Sequence, residues 1–428
     1  MKSGRVLPLA ALASCAALTL AGCSGGSGDA APDEPVDLTM TVWSTNEDHL
    51  ALFDEIAAEY IEENPELVGS VTFESTPAAD YTAALRTRIA GGQVPDLAWI
   101  LEANGPEFVE SGALYDLAPT LEGDADYDFD DVLDAPLDLW RSDEGLYAYP
   151  FSNSPLAVFV NTDIVAEAGQ PLPSELVADD AWDWEAARGL ATAVAADGEV
   201  DGMIMRDFDY QNWNRLTAIW ASWGASPWSE DGTECTFDSP EMVEAMEWIH
   251  DAIFVDGALP APGTSADFFA GESAMTVTQI SRAGALDGSF DFEVVPLPSG
   301  PEGQVDVIGQ AGIGVMAAGA HPEISADFLA FFTNPENAAK LGQFFPAPRE
   351  SALNAEVLAA SNPLLTQEQL ETVVIDAVDG AQTLPAHANA GEVIEKARVV
   401  LDDLWVADAD VPAVLSDVCE SIQPLLGS

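Results

Sequence analysis

The chain has 428 residues, nearly half of them apolar, so it is long enough for two or three domains and too hydrophobic to stay disordered. Its 74 acidic residues against 13 basic ones give a formal net charge of −61. That field repels phosphate backbones and anionic headgroups, which excludes nucleic acid and disfavours polyanionic ligands. The carboxylates are scattered along the whole chain, and salt relieves their self-repulsion, so a halophilic or halotolerant setting is expected.

In chain order, Lys2 and Arg5 open an apolar run over 6–20, and Leu20-Ala21-Gly22-Cys23 precedes Ser24-Gly25-Gly26-Ser27-Gly28. A basic start, a short apolar stretch and small residues mark a secretory signal over 1–22. The run is too short for a membrane span. A Cys after Leu-Ala-Gly resembles a bacterial lipobox, in which Cys23 takes a diacylglycerol anchor and becomes the mature N-terminus. Residues 23–36 then form a flexible acidic tether. An ordinary cleaved signal with an incidental Cys is the alternative. Cys15 imitates the motif but would truncate the apolar run. The expected location is extracytoplasmic, lipid-anchored on the outer face of the cytoplasmic membrane. Cys235 and Cys419 then lie in an oxidising compartment, where a disulfide and two buried thiols are both compatible with the sequence.

Leu38, Met40 and Val42 alternate with polar partners, as in a strand ending near Trp43. Asn46 is placed to cap a helix running to Asn64-Pro65, with Leu50, Phe53, Ala57 and Tyr60 on one face. A strand over 71–74, a helix over 80–90 stopped by Gly91-Gly92 and a strand over 97–101 follow. Further on, 156–160, 292–295 and 312–315 read as strands. The stretches 184–196, 212–223, 240–255, 324–332 and 394–405 read as helices. Strands alternating with helices predict an α/β fold with a largely parallel sheet. No repeat period is visible.

Several short blocks then stand out. Residues 81–96 read Tyr-Thr-Ala-Ala-Leu-Arg-Thr-Arg-Ile-Ala-Gly-Gly-Gln-Val-Pro-Asp, followed by Ser111-Gly112-Ala113-Leu114-Tyr115-Asp116-Leu117. Gly145-Leu146-Tyr147-Ala148-Tyr149-Pro150-Phe151 leads into Phe159-Val160-Asn161-Thr162-Asp163. Phe268-Phe269-Ala270-Gly271-Glu272-Ser273-Ala274-Met275, Ala311-Gly312-Ile313-Gly314-Val315, Ala330-Phe331-Phe332 and Pro346-Ala347-Pro348-Arg349-Glu350-Ser351-Ala352 complete the set. In order and spacing these blocks resemble the extracellular solute-binding proteins of sugar-type ABC importers over residues 38–355, and the resemblance implies a periplasmic-binding-protein-like, maltose-binding-protein-like fold of two α/β lobes. It assigns 37–152 and 279–310 to lobe one and 154–276 and 312–428 to lobe two. Three hinge crossings would fall near Asn153-Ser154, 276–278 and 310–312, with a ligand enclosed between the lobes.

A sugar site needs aromatic platforms and paired polar groups, because a buried unpaired polar group costs about 1–3 kcal/mol. The positions that the resemblance raises are Trp43 and Glu47 after the first strand, Glu102 and Asn104 after the third, and Asn153 and Ser154 at the first hinge. Gln279 and Arg282, Gln310 and Arg349 follow, and Trp223 shares a helical face with Trp220. Arg349 reads equally as a structural ion pair. Ser281-Arg282 stands where relatives often carry an aromatic.

Asp124, Asp126, Asp128 and Asp130 alternate like a calcium loop. Phe129 and Ala135, however, occupy the positions of the required Gly and Glu, so a solvated acidic loop is the reading. The four His show no zinc spacing, and no phosphate loop, dinucleotide fingerprint or nucleophile elbow appears. The expectation is a monomeric, non-catalytic receptor without cofactor or metal, whose partners are a carbohydrate ligand and the ABC permease. A polyol, a glycerol-phosphate ester or another organic solute is the alternative ligand, and a surface-anchored glycoside-acting enzyme the alternative class.

Overall fold

A computed structural model describes residues 34–125, 127–142, 145–196, 198–205, 212–263, 266–342, 344–361, 364–378 and 380–427. The leader and Cys23 lie outside them. The strands are β1 (Val36–Val42), β2 (Val68–Ser75), β3 (Leu97–Leu101), β4 (Arg141–Ser142), β5 (Gly145–Leu146), β6 (Tyr149–Asn161), β7 (Asp201–Met205), β8 (Ser273–Gln279), β9 (Phe292–Val295), β10 (Val307–Val315) and β11 (Gln382–Thr383). The expected tether therefore ends before 36, where β1 begins. β4 and β5 form a separate hairpin. The rest build one sheet with the path β2-β1-β3-β10-β6-β8-β7, β11 pairing with β10 and β9 with β6.

Local sequence explains most elements. In β1, Leu38, Met40 and Val42 are buried, as period-two alternation requires. The helix Glu47–Glu63 starts where the Asn46 side chain accepts from the Asp48 N–H at 2.8 Å, and it buries Phe53, Ile56, Ala57 and Tyr60 on one stripe. Asp183 and Ser239 cap the helices Trp184–Ala195 and Pro240–Phe254 in the same way. The predicted helix 212–223 is built of three joined helical turns, 3-10 over Trp213–Leu216, α over Thr217–Trp220 and 3-10 over Ala221–Trp223. Gly224 closes them at φ 74°, a left-handed conformation that glycine adopts without a Cβ penalty.

The sheet is mixed and not largely parallel. β1 runs parallel to β2 and β3, and β7 to β8. β10 is antiparallel to β3 and β6, and β6 to β8 and β9. The cause lies in the hydrophobic cores. One core gathers side chains from 36–151 and 311–345, and a second from 156–307 and 384–426. β6 carries the chain from the first to the second and β10 carries it back, so the two long strands must oppose each other. Along β6, Leu156, Val158 and Val160 face the second core. Ala157 and Phe159 face a third, smaller one shared with Leu358, Leu365 and Leu370. A strand covered on both faces reads as a continuous apolar run.

These cores correct the expected lobe boundaries. Ile280, Leu286, Val295 and Val307 pack with the second lobe, so 279–310 does not belong to lobe one. Ile313, Phe328, Phe332 and Phe345 pack with the first lobe, so lobe two does not begin at 312. Residues 276–278 lie inside β8 and are no crossing. The chain crosses at 152–155, at 308–310 and at 346–352, between Phe345 of the first core and Leu353 of the third. Cys235 and Cys419 are bridged, joining the loop after Trp228 to the final helix Val411–Leu426. Among the described residues no helix is long and apolar enough to cross a membrane.

Candidate functional site

β1 and β3 run parallel, so their carboxyl ends open on the same side, where ligands bind in open α/β sheets. β7 and β8 do the same for the second lobe. The residues just after β7, 206–211, lie outside the described ones. Between the two sets of strand ends run β6 and β10, whose register pairs Gln310 with Asn153 and Gly309 with Ser154.

Several expected ligand residues prove to be the lock of this crossing pair. The Gln310 amide N–H2 donates to Asn153 Oδ1 at 2.7 Å and to the Pro136 carbonyl at 3.0 Å, while its Oε1 accepts from Trp140 Nε1 at 2.7 Å. Asn153 Nδ2 donates to the Pro150 carbonyl, and its backbone N–H reaches the Pro346 carbonyl of the third crossing. Ser154 Oγ accepts from the Ser281 N–H at 3.0 Å. The amide of Gln279 lies over Gly309, where a Cβ would stand 1.7 Å from Nε2. The side-chain polar groups of Gln310, Asn153 and Ser154 are thus engaged with the protein.

Two expected positions are packed into the protein, and for Arg349 this is the structural ion pair that the sequence also allowed. Arg349 has no exposed surface: its guanidinium bonds the carbonyls of Tyr127, Asp128 and Thr333, pairs with Asp131 at 3.3 Å and lies over the Tyr127 ring at 4.6 Å. It fastens the loop around 127–131 to the third crossing. Trp223 packs in the second core against Trp248, with ring centroids 5.6 Å apart, because the turns 213–223 fold onto the helix Pro240–Phe254. Trp220 is wholly buried beside it.

The remaining positions follow the carboxyl ends of β1, β3 and β8. Trp43 leaves the end of β1 half-buried, set edge-on to Tyr81 and Trp99 at 5.2 and 4.8 Å. Glu47 is exposed in the first turn of its helix. Asn104 accepts from Thr82 Oγ1 at 3.4 Å. Glu102 is 3% exposed in the turn after β3. Burial pushes its carboxyl above the ordinary range, while Arg215 and the backbone N–H groups of Glu102 and Gln310 pull it back. Arg282 lies over the Phe269 ring at 5.4 Å.

Sequence reasoning missed Arg215, His49 and Arg86. Arg215 belongs to the turn Trp213–Leu216 of the second lobe, yet it acts on Glu102 of the first. His49 bonds Ser44 Oγ through Nδ1 at 2.8 Å and lies against Phe344 and Phe345. Burial lowers it to about 4, with Asp48 opposing and Arg282 of the second lobe adding to the shift. Arg86, paired with Glu107, approaches the second-lobe helix Ala390–Leu401, where a Cβ at Gly391 would stand 3.1 Å from Nη1. The only signal for these residues is scarcity: in so acidic a chain, each cation is a landmark. Among the described residues no group of three or more His, Cys, Asp or Glu is arranged to hold a metal.

A family model described as bacterial extracellular solute-binding protein matches residues 55–367. An arabinooligosaccharide-binding protein of Halalkalibacterium halodurans is 23% identical over 317 residues, covering 70% of this chain and 68% of that protein. A lipoprotein of Streptomyces antibioticus is 24% identical over 354 residues, 76% of this chain and 72% of its own length. Among solved structures, an ABC substrate-binding protein of Listeria monocytogenes in complex with cycloalternan superposes with a TM-score of 0.80 at 23% identity. That match covers 92% of this chain and 100% of the other.

Proposed function

The chain belongs to the bacterial extracellular solute-binding proteins, and from that premise we propose that it captures a carbohydrate, a mono- or oligosaccharide, in its interlobe cleft and delivers it to the membrane subunits of an ABC importer. The observation that carries this reading is two separate hydrophobic cores joined by the long strands β6 and β10, with Trp43, Glu102 and Asn104 following strands of the first lobe and Gln279 and Arg282 at the end of β8 in the second. Relatives named for oligosaccharide binding, and a neighbour holding cycloalternan, support a sugar as the cargo. The reading is non-catalytic. Glycoside cleavage uses two facing carboxylates, and Glu102 is the one buried carboxylate at this end of the strands among the described residues. The receptor works as a monomer outside the cytoplasm, tethered through lipid on Cys23, a reading that the lipoprotein relative supports. Closure around cargo follows from its higher affinity for the closed form.

The test is a thermal-shift screen of the leader-free chain in high salt, against neutral sugars of increasing length, polyols and phosphate esters. A ligand at 100 times its dissociation constant stabilises by about 2.7 kcal/mol, which moves the midpoint measurably. Stabilisation by one sugar group is the expected result. Stabilisation by an ester or an amino compound alone would keep the fold and remove the carbohydrate.

A further inference from the structure

The lobes also meet away from the three crossings. The helix Ala390–Leu401 packs into the second core through Val393, Ala397 and Leu401, yet it runs close to the first-lobe turn Glu102–Asn104. Its start is fastened within its own lobe. Asn389 Nδ2 donates to the Leu425 carbonyl at 2.8 Å, the Asn389 N–H to His387 Nδ1 at 2.9 Å, and Trp213 Nε1 to the Ile394 carbonyl at 3.2 Å. His387 in turn bonds the Gly232 carbonyl at 3.1 Å, in the loop that the Cys235–Cys419 bridge ties to the final helix. Facing this helix start is Arg86, on the first-lobe helix Ala78–Ala90. Glu107 takes its Nε at 3.0 Å and also its Nη2, which leaves Nη1 as the edge nearest Gly391. A Cβ at Gly391 would stand 3.1 Å from Nη1, 3.2 Å from Nη2 and 3.4 Å from Cζ, so the guanidinium rests on the bare helix backbone. Gly391 is the second residue of the helix and has no left-handed backbone to explain it. Glycine is the poorest helix former after proline. What the position needs is room for Arg86.

Resting on the reading of a receptor that closes on carbohydrate, we propose that Gly391 is a positioning residue for capture, the seat on which Arg86 of the first lobe comes to rest when the lobes close. Motion about the crossings changes the separation of two elements held by different cores, and packed groups do not compress. The space at Gly391 therefore sets how far the cleft shuts. Glu107 belongs to the device, because a bare guanidinium at the amino end of a helix meets the positive end of its dipole. A side chain at 391 props the lobes apart. Cargo affinity then falls with the fraction of molecules that still reach the closed form. The seat works by geometry, without a bond to the sugar.

The test uses the leader-free chain with its native disulfide intact. In the first arm, an Arg86→Cys/Gly391→Cys variant is treated with bis-maleimidoethane in the absence of sugar, and its digest is mapped by mass spectrometry. A bridge within one chain between the two helices is expected, and its absence overturns the seat whatever the cargo. In the second arm, calorimetric affinity for neutral arabino- and malto-oligosaccharides is compared among wild type, Gly391→Ala, Gly391→Leu, Arg86→Ala and Gly391→Leu/Arg86→Ala, with the melting temperature of each. Both substitutions at 391 keep or raise the melting temperature, since both residues are better helix formers than glycine. Gly391→Leu nevertheless binds about tenfold more weakly, and Gly391→Ala falls between. A merely structural role would lower affinity and melting temperature together. The double variant returns to within about threefold of Arg86→Ala alone, because the group that Leu would meet is gone. A folded Gly391→Leu that binds as tightly as wild type overturns the proposal, as does a double variant as weak as Gly391→Leu. If wild type binds no sugar of the panel, the carbohydrate reading fails and the cross-link alone decides the seat.

Discussion

A guanidinium with no exposed surface must find its partners inside the protein, and Arg349 finds three carbonyls, a carboxylate and a ring. The motif around it was legible in the sequence. The structural ion pair was one of its two readings, but its partners were not legible, because Tyr127, Asp128 and Asp131 lie more than two hundred residues away along the chain. Gln310 and Asn153 teach the same lesson: a polar residue at a crossing is drawn to the cleft by its position and to the backbone by its need for partners. His49 carries a prediction at this scale. Its folded value of about 4 lies below the ordinary 6.5, so the fold favours the neutral ring. The sign follows: the stability it contributes is fully present above pH 6.5 and is lost as pH falls towards about 4. Urea midpoints of wild type and His49→Gln, compared from pH 7.5 to about 4, isolate this effect from the many carboxylates common to both. Wild type loses stability more steeply in that window, and superimposable curves would contradict the assignment.

At the scale of elements, alternation and capping were readable wherever a strand or helix satisfies itself locally. The strand 97–101 and the helix capped by Asn46 have the expected limits, and the strand 156–160 is the middle of β6. What failed was long-range bookkeeping. The segments 279–310 and 312–345 exchange lobes because β10 crosses between the cores, and no local pattern reports a crossing. The predicted helix 212–223 is present as three joined helical turns, 3-10 at both ends and α over Thr217–Trp220, which together bury Trp213, Trp220 and Trp223. Gly312 shows what the crossing demands of β10. The Trp140 ring lies flat against it, so a Cβ would stand 2.9 Å from the ring carbons, and Trp140 is the residue that holds Gln310. Gly312→Ala therefore overpacks the crossing and destabilises by about 1–3 kcal/mol in chemical denaturation. A variant as stable as wild type would show that the indole has room to move.

For the whole molecule, charge outweighs any single contact. The ion pairs of Arg88, Arg141, Lys340, Lys396 and Arg398 are partly exposed. Each contributes about 0–1 kcal/mol. Such increments do not offset the mutual repulsion of a chain at −61. The bridge between Cys235 and Cys419 works on the other side of the balance, since it closes a loop of 184 residues and restricts the unfolded chain. Screening acts on the folded state directly. The Debye length falls from about 10 Å at 0.1 M salt to about 3 Å at 1 M, so most of the repulsion between neighbouring surface carboxylates disappears in that interval. The urea midpoint of the leader-free chain is expected to rise steeply with sodium chloride up to about 1 M and then level off. Potassium and choline chloride should give the same curve, because screening depends on ionic strength and not on the ion. A midpoint indifferent to salt would mean that the carboxylates are spaced widely enough to tolerate one another in dilute buffer, and the halophilic reading would fall. A rise with sodium but not choline would place the effect in bound cations instead.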